Sequence, residues 1–281
     1  MEQNTFKPII TIITSTYNAV TDLEKTIVSI RNQSYKHIQW IIIDGNSKDG
    51  TVELIKKNKD IIEFWLSEKD TGIYDAWNKG TKHIKGDWVL FLGAGDVLYS
   101  NKVLSDISFY LIDAFPKYNL VYGKVDVVND DDVSVADWGE PWELLKNKTE
   151  SIRIALPPHP GSFLHASFFN EEKYLFPTNL KIAGDTHSLM KAVKEKSPLF
   201  LPIYIDKMLF GGVSTTGKNL LLIIKELKLI NQEFNVKLPF FIYYWNLSKI
   251  YIKAWVNIIF PEKIIGSLYN IFLKVKYKFK Y

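Results

Sequence analysis

The chain has 281 residues, 35 Lys and Arg against 31 Asp and Glu, and a formal charge of +4; 47% of its residues are apolar and 23% charged. Such a composition excludes a disordered or collagen-like chain and suits one or two domains with a real core. Cysteine is absent, which excludes disulfides, thiol catalysis and Cys-ligated zinc.

The predicted elements alternate over the first hundred residues. Pro8–Thr14 is rich in isoleucine and predicts a strand. Thr21 and Glu24 have the spacing of a capping box, and Leu23, Ile27 and Ile30 then fall on one helix face. Ile38–Ile43 reads as a strand buried on both faces, broken by Gly45, Asn46 and Ser47. A short helix with Val52 and Ile55 follows, then a strand over Ile61–Leu66. Ile73, Trp77, Gly80 and Ile84 line a further helix, and Trp88–Leu92 is a strand that ends at Gly93-Ala94-Gly95-Asp96. Alternation of this kind predicts an α/β fold with a doubly wound, mostly parallel sheet flanked by helices, with ligands at the carboxyl ends of the strands. Polar residues gather at those ends: Ser15 to Asn18, Asp44, Glu68 to Asp70, and Asp96.

Beyond residue 100 the pattern is mixed. Leu120–Val128 reads as a strand, Pro157–Gly161 as a rigid loop, Ile182–Val193 as a loop entering a helix, and Leu199–Phe210 as strand-like. Residues 217–281 read as a separate helical tail, with an apolar face of Leu220, Ile223, Ile224, Leu227 and Ile230. Residues 237–281 hold eight lysines and one glutamate, a net of +7, which leaves −3 for the other 236 residues. A mildly acidic body argues against nucleic acid as a partner. Over 240–260, Asn246, Lys249, Lys253 and Asn257 form one narrow stripe amid aromatic and aliphatic residues, a pattern suited to a membrane surface. A terminal helix packed on its own domain, or on a second copy of the chain, is the alternative. Neither a signal peptide nor a spanning stretch of about 18 apolar residues is evident.

Two phosphate-loop lookalikes fail on composition. Gly93-Ala94-Gly95 lacks the third glycine, where Leu98 stands, and Gly212 to Lys218 is followed by Asn219 instead of the magnesium-binding Ser or Thr. Glycines at 211 and 212 suit a loop that closes over a ligand. Asp44, at a strand end, can accept the N3–H of a uracil ring or cap its own turn. Asp96 can hold a divalent metal or close a turn, and Asp185, at a helix start, can be a general base or a cap.

Together the motifs resemble family 2 inverting glycosyltransferases of the GT-A fold. The matching pieces are Ile10–Asn18, Asp44–Thr51, Ser67–Gly80, Gly86–Trp88 and Phe91–Asp96, with weaker matches at His159–Phe163, Ala183–Asp185 and Gly211–Ser214. The run over 67–80 resembles the branch that builds bacterial surface polysaccharides. The resemblance implies a catalytic domain over 1–216, with a nucleotide-binding half to residue 100 and an acceptor half over 101–216. It implies a UDP-sugar donor held by Ser15, Tyr17, Asn18, Asp44, Asp70, Asn78 and Gly95, and Mn²⁺ or Mg²⁺ on Asp96. Ala94 and Gly95 stand where many members carry a second acid. Asp185 would be the general base, and His159, Gly211, Gly212 and Ser214 would belong to the acceptor side and its loop. The expected reaction transfers one sugar to a polyprenyl-diphosphate-linked acceptor in O-antigen or capsule assembly. The enzyme would be cytoplasmic and held at the inner membrane face by residues 238–281. A non-catalytic sugar-nucleotide-binding scaffold and a nucleotidyltransferase are the alternatives.

Overall fold

The isoleucine-rich runs form the centre of the sheet. Strands β1 (Ile10–Thr16), β2 (Ile38–Asp44), β3 (Phe64–Ser67) and β4 (Trp88–Phe91) lie parallel in the order β3-β2-β1-β4. They are joined by helices α1 (Val20–Arg31), α2 (Thr51–Lys57) and α3 (Ile73–Thr81). One face, carrying Ile10, Ile12, Trp40 and Ile42, packs on Leu23, Ile27 and Ile30 of α1. Helix α3 covers the other face over β1 and β2. Burial on both faces is why these strands read as continuous apolar runs.

This computed structural model describes residues 7–129, 131–170, 175–210 and 217–259. After β4 come β5 (Val97–Leu98), α4 (Val103–Ala114), β6 (Leu120–Val128), β7 (Ser134–Trp138) and α5 (Trp142–Leu145). The sheet is completed by β10 (Ser162–His165) and β11 (Leu199–Leu209), with α6 (Gly184–Glu195) between them. Among the described residues it has nine strands in the order β3-β2-β1-β4-β10-β6-β11-β5, with β7 on β6. Strands β10, β5 and β7 run against the others, so the sheet is mostly parallel and doubly wound, as expected.

A second compact unit takes Asn147–Ala155 and the chain from Phe210, while the first keeps the residues to Lys146 and Leu156–Leu209. It contains the hairpin β8 (Thr149–Glu150) and β9 (Arg153–Ile154), with helices α7 (Gly217–Glu233) and α8 (Phe240–Ile259). Asn231 and Asn246 donate to the Ile152 and Ser151 carbonyls at 2.6 and 2.8 Å, which ties both helices to the hairpin. Asn246 therefore does not join the solvent-facing stripe expected of it. Leu247 and Ala254 are buried, and Phe241, Trp245 and Trp255 are exposed by 85, 64 and 60%. Among the described residues no helix is long and apolar enough to cross a membrane.

Local expectations shift at three edges. Helix α1 has Ala19 as its N-cap and no side-chain cap of its own. Its orphan amides are satisfied from a distance: Ala19 N–H donates to Thr51 Oγ1 at 3.1 Å and Val20 N–H to Asp49 Oδ2 at 3.0 Å. The third strand starts at Phe64 because Ile61 N–H closes a turn on the Asn58 carbonyl. Helix α3 ends at Thr81, and Ile84 lies in the turn beyond.

Candidate functional site

The ladder register sets Thr16, Asp44 and Ser67 side by side at the carboxyl ends of β1, β2 and β3. Asp44 is fully buried. One oxygen accepts from the Ser47 hydroxyl; the other accepts from Ser47 N–H at 2.9 Å and from the Ser67 hydroxyl at 2.6 Å. Asn18 has a left-handed backbone, φ 47°, and donates its N–H to Ser47 Oγ at 2.8 Å while its Oδ1 accepts from Lys48 N–H at 2.9 Å. Both residues thus hold the first two loops together at the strand ends where the resemblance places the donor.

Tyr17, 68% exposed, and Asp70 close over Gly45. A Cβ at Gly45 would stand 2.9 Å from Asp70 Oδ2 and 3.2 Å from the Tyr17 ring, so only glycine permits their approach. Ser15, beside them at the end of β1, is partly exposed. An open aromatic face next to a carboxylate can stack a planar base and accept a ring N–H.

Asp70 also accepts the Gly72 N–H at 3.0 Å, just ahead of α3. From the first turn of α3 the Tyr74 hydroxyl donates to the Ile182 carbonyl at 2.6 Å and stands 3.4 Å from Asp185 Oδ1. Asp185 sits in the first turn of α6, where its Oδ1 accepts the Thr186 N–H at 2.7 Å. The Tyr74 ring reaches it only because residue 184 is glycine; a Cβ there would lie 2.8 Å from the ring. Asn78, one turn further on, uses both ends of its amide on the Phe176 backbone. Nδ2 donates to the carbonyl at 2.7 Å and Oδ1 accepts the N–H at 2.8 Å. That residue clamps a segment 98 positions away with both ends of its amide.

Phe176 stacks on Tyr74 and meets Trp77 edge-on, with ring centroids 5.9 and 4.9 Å apart. His159 stacks on Trp77 at 4.9 Å. It is buried and its Nε2 has no hydrogen-bond partner. Burial holds its pKa below the ordinary histidine value, against the pull of the nearby Asp185 charge, so the ring is neutral at pH 7.

Asp96 ends the loop after β4. Gly93 N–H donates to Asp96 Oδ2 at 3.1 Å, and Thr26 Oγ1 ties the loop by donating to the Asp96 carbonyl at 2.9 Å and accepting the Gly95 N–H at 2.9 Å. Gly95 therefore sits in the backbone turn that presents Asp96. Burial pushes the Asp96 carboxyl up to about 6. Asp206 in β11 is fully buried and neither carboxylate oxygen has a hydrogen-bond partner. Burial, reinforced by the charge of Asp96, holds its pKa well above the carboxylate range. Sequence reading missed Asp206; the available signal was an acid within the otherwise apolar run Leu199–Phe210.

Among the described residues no group of three or more His, Cys, Asp or Glu could hold a metal. Two hard carboxylates, one with both oxygens unmatched, nevertheless fit Mg²⁺ or Mn²⁺ completed by other oxygen ligands. Gly211, Gly212 and Ser214 lie outside the described residues.

A model of the family Glycosyl transferase family 2 matches residues 11–174. An uncharacterised glycosyltransferase of Rickettsia typhi is 33% identical over 206 residues, 71% of this chain and 63% of its own length. One of Mycobacterium tuberculosis is 38% identical over 93 residues, 33% of this chain and 36% of its own length. The chain thus spans 36 to 63% of the length of these curated relatives. Among solved structures, the mannosyltransferase PcManGT of Pyrobaculum calidifontis, in complex with GDP-Man and Mn²⁺, aligns with a TM-score of 0.63 at 17% identity, covering 90% of this chain and 74% of that one. S. aureus TarS in complex with UDP-GlcNAc aligns with a TM-score of 0.62 at 15% identity, covering 88% and 72%.

Proposed function

The chain belongs to glycosyl transferase family 2 and has a GT-A type fold, and from that premise we propose that it transfers one sugar from a UDP-hexose to a lipid-linked saccharide with inversion. The observation that carries this reading is the convergence on α3. Asp70 bonds to the backbone at its start, and Tyr74 in its first turn stands beside Asp185. A donor-side carboxylate and a base are thereby held by one helix. The nucleotide sugars held by PcManGT and TarS support a donor of this class.

In this reading Tyr17, Asp70 and Ser15 receive the nucleoside, and Asp44 and Asn18 keep their loops rigid. Asp185 takes the proton from the acceptor hydroxyl as that oxygen attacks the anomeric carbon. The bond to the diphosphate breaks on the opposite face, so the configuration inverts. Tyr74 orients Asp185, and neutral His159 stacks on Trp77 of the same helix. Mn²⁺ or Mg²⁺ bound at Asp96 would supply electrostatic stabilisation of the diphosphate leaving group.

The acceptor is a sugar on a polyprenyl diphosphate, as in O-antigen or capsule assembly, and the catalytic domain is the first compact unit, the residues to Lys146 and Leu156–Leu209. Support for a membrane-held acceptor comes from α8, which turns Phe241, Trp245 and Trp255 to solvent. Lys249 Nζ lies 4.9 Å above the Trp245 ring. Aromatic and lysine groups on one exposed surface suit a headgroup layer.

The test is a panel of nucleotide sugars with a lipid-linked acceptor, the anomeric configuration of the product being read by NMR. Asp185→Asn should lower kcat by roughly 10²-fold or more. Retention of configuration, or full activity of that variant, refutes the mechanism.

A further inference from the structure

We propose that Asp206 is the second carboxylate of a divalent-cation site shared with Asp96, in place of the acid missing from residues 94 and 95. The argument starts from the ladder. Asp206 lies directly opposite Leu98 in the antiparallel β11–β5 pair. Opposed residues point to the same face, and Asp96, two positions before Leu98 in the turn that leads into β5, stands where a diagonal neighbour of Asp206 would stand. Diagonal neighbours are about 7–8 Å apart at the backbone, a spacing at which two carboxylates can reach one ion between them.

Chemistry narrows the choice. A buried carboxyl group without a partner costs several kcal/mol, on the order of the penalty for an unmatched ion, so native structures rarely leave one. A protonated Asp206 would satisfy itself by donating to Asp96, yet neither of its oxygens makes a hydrogen bond, and the polar group beside them is the Lys207 backbone N–H. Among the described residues no lysine forms an ion pair with it. Lys207, the next residue, points the other way and reaches Asp132 at 3.1 Å. Asp22, whose Cβ would be 3.3 Å from a Cβ at Gly95, is itself paired with Lys25 at 3.2 Å. A cation held between the two carboxylates would match the oxygens of Asp206 that the fold leaves bare. Hard oxygen donors select Mg²⁺ or Mn²⁺ over softer metals.

This inference rests on the transferase reading only for the use made of the ion; ion binding itself is independent of it. The experiment is a Mn²⁺ titration of the full chain, followed by loss of the free-ion EPR signal, with and without UDP. Wild type should bind Mn²⁺, and Asp206→Asn and Asp96→Asn should each weaken binding at least tenfold. Thermal melting of the same samples separates misfolding from ligand loss. Mn²⁺ should raise the midpoint of wild type and leave that of folded Asp206→Asn unchanged, and Asp206→Ser is the second variant should Asn disturb the strand. Wild-type affinity in both Asp206 variants overturns the proposal, as does a wild-type chain that takes no Mn²⁺ with or without UDP. The first outcome leaves the transferase reading intact and the second removes only the metal at Asp96 from it; sugar transfer itself falls only if no nucleotide sugar is turned over.

Discussion

Replacing Asn78 with alanine separates two tasks that one side chain could have. The amide makes two hydrogen bonds to the Phe176 backbone, at 2.7 and 2.8 Å, and Phe176 is buried. Truncation removes both bonds and leaves a backbone N–H and a carbonyl without partners. With about 1 kcal/mol net per bond and about 1–3 kcal/mol for each unmatched buried group, partly relieved by water, the loss is roughly 2–4 kcal/mol. In a unit of this size that lowers the melting midpoint by on the order of 10 °C. Phe176 stacks on Tyr74, which stands beside Asp185, so kcat should fall while the donor KM changes little. Asn78→Asp keeps the acceptor for the Phe176 N–H but sets a carboxylate against the carbonyl, and should be about as unstable. Calorimetry and steady-state kinetics on the same samples decide the matter. An Asn78→Ala variant that melts within about 1 °C of wild type and shows only a roughly tenfold higher donor KM would refute the clamp and restore Asn78 to the donor.

Tyr74→Phe loses the 2.6 Å bond to the Ile182 carbonyl and should cost about 1 kcal/mol of stability. Its kcat should fall roughly tenfold with donor KM unchanged, since it positions Asp185 without touching the donor; unchanged kcat counts against that role. His159 gives the folded state a pH dependence of known sign. Its pKa is depressed by burial, so below about pH 6.5 the unfolded chain binds a proton the folded chain does not, and stability falls as the pH falls. Denaturation midpoints between pH 7 and 5 should therefore decline less steeply in His159→Gln than in wild type, and equal slopes would contradict the assignment. Full-length Trp245→Ser/Trp255→Ser should melt like wild type, because both side chains are exposed, yet lose cosedimentation with phosphatidylglycerol vesicles. Undiminished cosedimentation removes the support that α8 gives to a membrane-held acceptor.

Much of the frame was legible in local pattern. The isoleucine runs at 10–16 and 38–44 are strands because hydrophobic, β-branched side chains suit a sheet buried on both faces, and the polar residues that end them fall at the strand ends. Leu120–Val128 has the bounds its sequence predicts. The motif over 67–80 pointed to the right family. Partners across the chain were not legible. Asn78 looks like a pocket residue until Phe176 arrives 98 positions later, and the cap of α1 comes from Thr51 and Asp49 instead of Thr21. Asp206 is an odd acid in a strand until β11 pairs with β5 and brings it to Asp96. Periodicity along the chain is set by each residue's own side chain and its near neighbours, so the sequence by itself determines elements and their buried faces. Which buried polar groups meet is decided by strand order and register, and these exist only in the tertiary structure.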